Sequence, residues 1–488
     1  MYDKLIFEVS KPGKRGVRLP ESDVPHQDNL IPESLRRKGP IGLPEVSEPE
    51  TMRHFVNLST KNHNIERGFY PLGSCTMKYN PKINELTARL SGFTGLHPFQ
   101  EAWDVQGALR LMVELSDALV EISGMDGITL QPAAGAHGEL TGLLLMRAYH
   151  ESKGDPRKKV IIPDSAHGTN PASIITAGYE VVQIPSGSDG LIDLDALKAV
   201  LDDQVAAMMI TNPNTLGLFE SRILEVAEAV HRVGAQLYMD GANLNAMLGI
   251  ARPGDMNFDV VHINLHKTFS TPHGGGGPGS GPVAVKKHLI PFLPGPLPVR
   301  DGDDYRWADP SPQSIGRIGS FYGNFGVMVR AYTYIAMMGA DGLRHASERA
   351  VINANYLRRL LEAHYELPYK RTPMHEVVFS GDPLKEYGVK TSDVAKRLLD
   401  YGFHAPTIYF PLIVHEALMI EPTETESRET LDAFAEAMTK IAEEAKDNPE
   451  LLHGAPYTTP VGRLNQAAAA RLLDVAYHPS KDDPAVGK

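Results

Sequence analysis

The feature that most constrains the fold is a series of short apolar runs that alternate with amphipathic stretches. The runs occupy residues 160–162, 181–184, 206–211, 236–239 and 260–265. Each run is too short for a buried helix, and such runs are typical of strands covered on both faces. Strands that alternate with helices predict an α/β fold with a mainly parallel central sheet. Residues 283–285 form a sixth candidate strand.

Between and beyond these runs, apolar residues recur at the spacing of an α-helix. This spacing predicts a helix from residue 104 to Gly124, and another over 221–233 with Ser221 as a candidate cap and Gly234 at its end. Further helices are predicted over 327–338, 343–363, 392–401 and 428–446. Residues 291–320 are rich in proline, glycine and aspartate, so we expect a long loop there.

The pattern divides the chain into four parts. Seven prolines between residues 12 and 49 predict an extended arm with short helical pieces, because proline restricts its own backbone and that of the preceding residue. We expect an N-terminal arm over 1–90, a large sheet-containing domain over 91–330, a smaller α+β C-terminal domain over 331–447 and a tail over 448–488.

Charge and cysteine content exclude several classes of protein. The net charge of −12 argues against nucleic acid or an anionic membrane as the main partner. Cys75 is the single cysteine, so the chain forms no internal disulfide. The N-terminus lacks the pattern of a secretory signal, and no apolar stretch reaches the ~18 residues of a membrane span. We therefore expect a soluble, cytoplasmic protein.

Polar residues follow the predicted strands at the points where ligands bind in α/β proteins. Asp240 follows the fourth run, His266 and Lys267 follow the fifth, and the first run leads to the segment with His167, Thr169 and Asn170. Taken alone, each residue has a structural explanation, such as a turn, a cap or a solvated surface charge. Their common position at strand ends favours a shared site.

Together these residues meet the needs of pyridoxal phosphate, which requires a lysine amine, an acidic partner for its ring nitrogen and an anion site for its phosphate. Lys267 fits the first role, and Asp240, 27 residues earlier at the end of the preceding strand, fits the second. Gly135 and Ala136, at the start of a predicted helix, fit the third.

Other chemistries fit the sequence less well. The glycine run at 274–277 follows a lysine instead of preceding one, so it is not a nucleotide phosphate loop. His262 and His266 have the spacing of a helical zinc site but lie in a predicted strand without the HExxH glutamate, so we expect no metal. The serine-hydrolase GxSxG pattern is absent.

Several longer segments resemble glycine decarboxylase, the P-protein of the glycine cleavage system. They are LGSCTMK at 72–78, SAHGTNPAS at 165–173, DGAN at 240–243, NLHKTFSTPHGGGGPG at 264–279, YGFHAPT at 401–407, EPTETE at 421–426 and APYTTPV at 455–461. The resemblance covers about residues 70–470 and matches the lysine-bearing half of the long single-chain form. It therefore implies subunit 2 of the split, two-subunit form.

The resemblance implies a fold-type I pyridoxal phosphate enzyme with the cofactor covalently held by Lys267 and its ring nitrogen kept protonated by Asp240. It implies that His167 stacks on the ring with Ala242 on the opposite face. Gly135 and Ala136 would hold the phosphate, with His266 as a further candidate. His167, Thr169 and Asn170 are candidates for binding the glycine carboxylate.

On the substrate side, Ser74 and Cys75 are candidates to line the site, although Cys75 fits a buried packing role equally well. The glycine run is expected to lie close to the cofactor.

The implied reaction is glycine decarboxylation followed by transfer of the aminomethyl group to the lipoyl arm of H-protein. The implied partners are a homologous subunit 1, in an α2β2 heterotetramer, and lipoylated H-protein. Two alternatives stay open at this point. One is another fold-type I enzyme, such as an aminotransferase or desulfurase, and the other is a non-catalytic scaffold subunit.

Overall fold

A seven-stranded sheet forms the centre of the computed structural model, which describes residues 4–27, 30–39, 41–274 and 279–478. Its strands are β1 Gly127–Thr129, β2 Lys159–Pro163, β3 Glu180–Ile184, β4 Val205–Thr211, β5 Gln236–Gly241, β6 Val260–Ile263 and β7 Val283–Val285. Their order across the sheet is β1-β7-β6-β5-β4-β2-β3.

The sheet is parallel except for β7, which runs antiparallel to both of its neighbours. The register places Asp240 of β5 beside His262 of β6 and beside Thr211 of β4. The five predicted central strands are confirmed, and the candidate at Val283–Val285 is a strand. The sequence missed β1, because its three residues include only one large apolar side chain, Ile128.

Helices cover the sheet and build the rest of the chain. They are α1 Ile6–Val9, α2 Glu48–Thr60, α3 Lys82–Ala88, α4 Ser91–Thr94, α5 Gln106–Ser123, α6 Gly135–Ser152, α7 Thr169–Thr176, α8 Leu194–Val200, α9 Ile223–Arg232, α10 Leu265–Thr268, α11 Phe325–Leu361, α12 Thr391–Asp400, α13 Arg428–Asp447, α14 Pro449–Gly454 and α15 Gln466–Arg471. Gly124 ends α5 with a φ of 67°, as predicted, because glycine adopts the left-handed region at no steric cost. Within the described residues, every helix is too short or too polar to cross a bilayer.

Three sequence predictions are corrected. Residues 291–320 contain a two-stranded hairpin, β8 Leu297–Asp301 with β9 Asp304–Ala308, in place of one long loop. In the fifth run, the strand ends at Ile263. Leu265, the last residue of that run, begins the single helical turn α10, which carries Lys267. Ser221 does not cap α9, since Arg222 occupies the cap position and makes no side-chain cap bond.

A smaller three-stranded antiparallel sheet follows in the chain. It consists of β10 Val377–Ser380, β11 Thr407–Ile408 and β12 Ala417–Ile420, in the order β10-β12-β11. Its apolar side packs with α12 and α13 around buried residues that include Phe379 and Phe434. The internal contacts of the chain define two compact units. One is Gly68–Pro456, and the other combines Met1–Arg67 with Tyr457–Lys488. The boundaries predicted at residues 90, 330 and 447 stay a prediction.

A buried ion pair fixes the segment over residues 72–78. Lys78 Nζ lies 2.6 Å from Glu424 Oε1, and it also donates to Asn245 Oδ1 at 3.1 Å and to the Thr268 carbonyl at 2.8 Å. The side chains of Lys78 and Glu424 are 1% and 8% exposed, so neither charge is solvated by water. Because Thr268 is the last residue of α10, this pair ties the segment to the turn that carries Lys267.

We predict that Lys78→Met lowers the free energy of unfolding by about 3–5 kcal/mol, because it leaves the Glu424 carboxylate buried without its cation. Lys78→Met combined with Glu424→Gln removes both charges and is expected to cost clearly less than the single substitution. Thermal or urea unfolding of both variants measures the difference. Equal losses in the two variants would contradict a stabilising role for this charge pair.

Candidate functional site

A cavity of about 680 Å³, measured with its open mouth, lies at the carboxyl ends of β4, β5 and β6. In α/β proteins, cofactors and small molecules bind in clefts at this edge of the sheet. The described residues that line it are Ser74, Gly135, Ala136, Glu139, His167, Thr169, Thr211, Pro213, Thr215, Asp240, Ala242, Asn243, His262, Asn264, Lys267, His375 and Glu376. Seven of the residues predicted from sequence therefore surround one space with Lys267.

Asp240 is buried at the end of β5 and is held as a carboxylate. Its Oδ2 accepts a hydrogen bond from Asn170 Nδ2 at 2.9 Å, its Oδ1 accepts one from the Ala242 amide at 3.0 Å, and His262 Nε2 lies 3.3 Å from Oδ1. Burial alone would raise the pKa of Asp240, but His262, Asn170 and the Ala242 amide outweigh it and lower the pKa. The cavity therefore has a fixed negative charge in its wall.

Lys267 is half-buried on α10, and its amine points to the early segment. Its Nζ donates to the Ser74 carbonyl at 2.7 Å. Ser74 and Thr76 have φ values of 63° and 51°, in the left-handed region that side chains seldom adopt. Among the described lining residues, Lys267 is the one lysine or arginine.

The first turn of α6 forms another part of the wall. Gly135 and Ala136 begin this 18-residue helix, whose first amides have no partner within the helix. A Cβ at Gly135 would lie 2.8 Å from the side-chain amide of Asn264, so a larger residue would displace that neighbour. Free amides and the helix dipole are the features that suit a helix start to a phosphate or another anion.

Glu139, which was not among the predicted site residues, organises the segment that follows β2. Its Oε1 accepts from Thr169 Oγ1 and its Oε2 from Ser173 Oγ, both at 2.7 Å. Thr169 Oγ1 also lies 2.8 Å from His167 Nδ1, which fixes the imidazole at the cavity wall. Burial lowers the pKa of His167, partly offset by Asp240, so this imidazole is neutral at pH 7.

Three predicted residues lie outside the cavity wall. Asn170 contributes through its hydrogen bond to Asp240. His266 points away, where its Nδ1 accepts from the Ser280 amide at 3.3 Å, and burial together with His273 lowers its pKa to about 3. Cys75 is half-buried, burial raises its thiol pKa, and its carbonyl accepts from His273 Nε2 at 2.8 Å. The glycines at 275–277 lie outside the described residues.

Two further acidic residues reach the site from the smaller sheet, and both were absent from the predicted set. Glu376 precedes β10 and lines the cavity, while Glu421 follows β12 and lies behind it. His375 is their buried neighbour, with its Nε2 3.8 Å from Glu376 Oε1. An acidic residue directly before or after an apolar strand is the signal that could have identified them. The prediction that no metal binds stays a prediction.

Comparison with known proteins identifies the family. The profile of the glycine cleavage system P-protein matches residues 23–303, and that of the glycine dehydrogenase C-terminal domain matches residues 346–454. A relative from Halalkalibacterium halodurans is 62% identical over 476 residues, covering 97% of this chain and 98% of its own. The chain belongs to the glycine cleavage system P-protein family.

A P-protein relative from Chlorobium chlorochromatii is 60% identical over 478 residues, which is 97% of this chain and 99% of its own. Both relatives carry the name probable glycine dehydrogenase (decarboxylating) subunit 2. The resemblance inferred from the sequence segments is thus confirmed.

Solved structures confirm the predicted fold-type I architecture. The inhibitor-bound glycine decarboxylase (P-protein) of the glycine cleavage system superposes with a TM-score of 0.71 at 21% identity, covering 84% of this chain and 93% of its own. A sphingosine-1-phosphate lyase from Burkholderia pseudomallei K96243 superposes with a TM-score of 0.63 at 14% identity, covering 86% of this chain and 94% of its own.

The P-protein family is pyridoxal phosphate-dependent, and the residues in this chain fit that cofactor. An amine, a buried carboxylate and a helix N-terminus line one cavity, as the aldehyde, ring nitrogen and phosphate of the cofactor require. The close approach of Asn264 shows that the first turn of α6 has no room for a side chain at Gly135.

We predict that Gly135→Ala weakens binding of pyridoxal phosphate by at least about tenfold, since its Cβ forces Asn264 to move and disturbs the first turn of α6. Gly168→Ala is the matched control, because a Cβ there meets nothing within 4 Å. Titration of the apo-protein with the cofactor, followed by absorbance, gives both affinities. Equal affinities in the two variants would contradict a role for this turn.

Proposed function

We propose that this chain is subunit 2 of glycine dehydrogenase (decarboxylating), the P-protein of the glycine cleavage system. It releases carbon dioxide from glycine and passes the aminomethyl group to the lipoyl arm of H-protein. The observation that carries this proposal is the placement of Lys267 and Asp240 in the wall of one cavity, in a chain of the P-protein family.

Pyridoxal phosphate, when bound, supplies the electron sink for the pair of electrons that carbon dioxide leaves behind. Lys267 would hold the cofactor covalently through its amine. Asp240 supplies the negative charge that keeps a pyridine nitrogen protonated. Its three polar neighbours support this role, because each stabilises the ionised carboxylate.

Further residues hold the cofactor and the substrate. We propose that Gly135 and Ala136 hold the phosphate and that His167 and Ala242 lie on the two faces of the ring. Thr169 and His167 line the same cavity, which supports them as candidates for binding the glycine carboxylate. His266 is a weaker candidate for the phosphate than its sequence position indicates, because its ring contacts Ser280 and His273. Asn170 acts through Asp240, and Ser74 through Lys267.

The subunit 2 name of the relatives implies a partner subunit 1. We propose that this partner is homologous to the present chain, that the two form an α2β2 heterotetramer, and that lipoylated H-protein binds the complex. We also propose that the complex works in the cytoplasm. Co-expression with subunit 1 and measurement of the mass of the purified complex tests the stoichiometry.

We predict that Lys267→Ala abolishes the absorbance of covalently bound cofactor and reduces glycine-dependent release of carbon dioxide to background, while the chain still folds. Lys287→Ala removes an exposed amine outside the cavity and is expected to keep both properties. Spectra and release of labelled carbon dioxide, measured with subunit 1 and lipoylated H-protein, check the two variants. Unchanged release in Lys267→Ala would falsify the assignment.

We predict that Asp240→Asn still binds the cofactor but releases carbon dioxide at least about tenfold more slowly, because a neutral amide supplies no charge to hold a proton on the ring nitrogen. Asp195→Asn, at an exposed position on α8, serves as the control. Turnover at saturating glycine distinguishes the variants. Wild-type turnover in Asp240→Asn would rule out the electrostatic role of this carboxylate.

A further inference from the structure

The carboxyl groups of Glu376 and Glu421 form a buried pair beside Lys267. Their relative exposures are 3% and 0%, and one oxygen of each lies within 4.8 Å of the other and of a nitrogen of His375. Two carboxylates this close in a dry environment cannot both keep a negative charge at low cost. One member of such a pair holds a proton.

The hydrogen bonds show which member is ionised. Glu421 accepts from three donors, which are the Thr76 amide at 2.9 Å, the Thr76 hydroxyl at 2.7 Å and Asn243 Nδ2 at 2.8 Å. Among the described residues, Glu376 accepts one hydrogen bond, from the Ser74 amide to Oε2 at 2.8 Å. Glu421, with three donors against one, is therefore the better-stabilised carboxylate, and Glu376 is the acid.

The charges around Glu376 agree with this assignment. Burial and the Glu421 carboxylate raise the pKa of Glu376 well above its ordinary value, and the Ser74 amide and Lys267 offset only part of the rise. Burial lowers the pKa of His375, so its imidazole adds no positive charge at pH 7. Burial likewise raises the pKa of Cys75, whose thiol adds no negative charge.

The proposed reaction needs one proton at its last step. Carbon dioxide leaves glycine without its bonding pair, and that pair forms the new bond between the aminomethyl carbon and one lipoyl sulfur. The sulfur–sulfur bond breaks with its electrons on the second sulfur, so the disulfide is reduced as the carbon is oxidised. The second sulfur then takes up a proton and becomes a thiol. The number of protons balances, because glycine enters as an ammonium ion and loses one proton when its nitrogen bonds to the cofactor.

We propose that Glu376 is the acid that donates the proton to the departing lipoyl sulfur and regains it from the next glycine. This inference rests on the proposed function. Glu376 is suited to the step because it lines the cavity, and because one of its oxygens has no described donor and remains available to a reactant. The neutral imidazoles of His167 and His375 are poorer acids for this step. Lys267 is the competing donor.

Glu376→Gln tests the proposal because glutamine has the shape and charge of a protonated glutamate but has no acidic proton. With subunit 1 and lipoylated H-protein, we expect unchanged cofactor absorbance, an unchanged KM for H-protein and a loss of about 10²-fold or more in the rate of thiol formation. Glu376→Asp keeps an acidic proton and is expected to recover part of that rate. A rate for Glu376→Gln within twofold of wild type would overturn the proposal and leave Lys267 as the donor.

The pH profile gives a second readout. Glu376 acts while protonated, so the wild-type transfer rate is expected to fall as the pH rises through its raised pKa. Glu421→Gln removes the neighbouring negative charge, lowers the pKa of Glu376 and should move this alkaline limb to lower pH. A limb that stays at the same pH in Glu421→Gln would contradict the shared proton.

An infrared measurement tests the protonated state without turnover. The wild-type holoenzyme should show a carbonyl band of a protonated carboxyl group that shifts in D₂O and is lost in Glu376→Gln. If the wild-type holoenzyme lacked this band, the inference would be overturned. Binding of one equivalent of a divalent metal by His375, Glu376 and Glu421 would overturn it as well. If wild type released no carbon dioxide from glycine, the proposed function would fail, whereas the band would still report on Glu376.

Discussion

The site depends on parallel hydrogen bonding between β4, β5 and β6. Because these strands run in one direction, their carboxyl ends meet at one edge of the sheet, and the loops that follow them surround a common space. The register then fixes which side chains meet, since Asp240 stands beside His262. The turn after β6 adds Lys267. A strand that continued to residue 265 would have placed the Lys267 side chain differently.

Around this edge the protein keeps different acids in different states. Asp240 is ionised because polar groups surround it, Glu421 accepts hydrogen bonds from three donors, and Glu376 accepts one. One cavity therefore contains a fixed negative charge and a proton-bearing acid. The two states arise from the number of hydrogen bonds to each carboxyl group, since all three groups are buried.

Much of the fold and half of the site were accessible from sequence, for identifiable reasons. Buried parallel strands leave continuous apolar runs, and residues such as Asp240 and Lys267 follow those runs directly. The hairpin at β8 and β9 was missed because it lies in a stretch rich in proline, glycine and aspartate, a composition that predicts a loop even though a tight turn pairs the two strands. Glu376 was missed because it approaches Lys267 from a sheet more than 100 residues later, so its role depends on tertiary structure. The same holds for Glu139, whose two hydrogen bonds reach residues of α7.

The central assignment is that Lys267 is the residue that holds pyridoxal phosphate. Borohydride treatment of the holoenzyme fixes the cofactor irreversibly to the lysine that carries it, and mass spectrometry of the digested protein then identifies that lysine. The modified peptide is expected to contain Lys267, and prior removal of the cofactor should abolish the label. A label on another lysine, or none on holoenzyme that still releases carbon dioxide from glycine, would contradict the assignment.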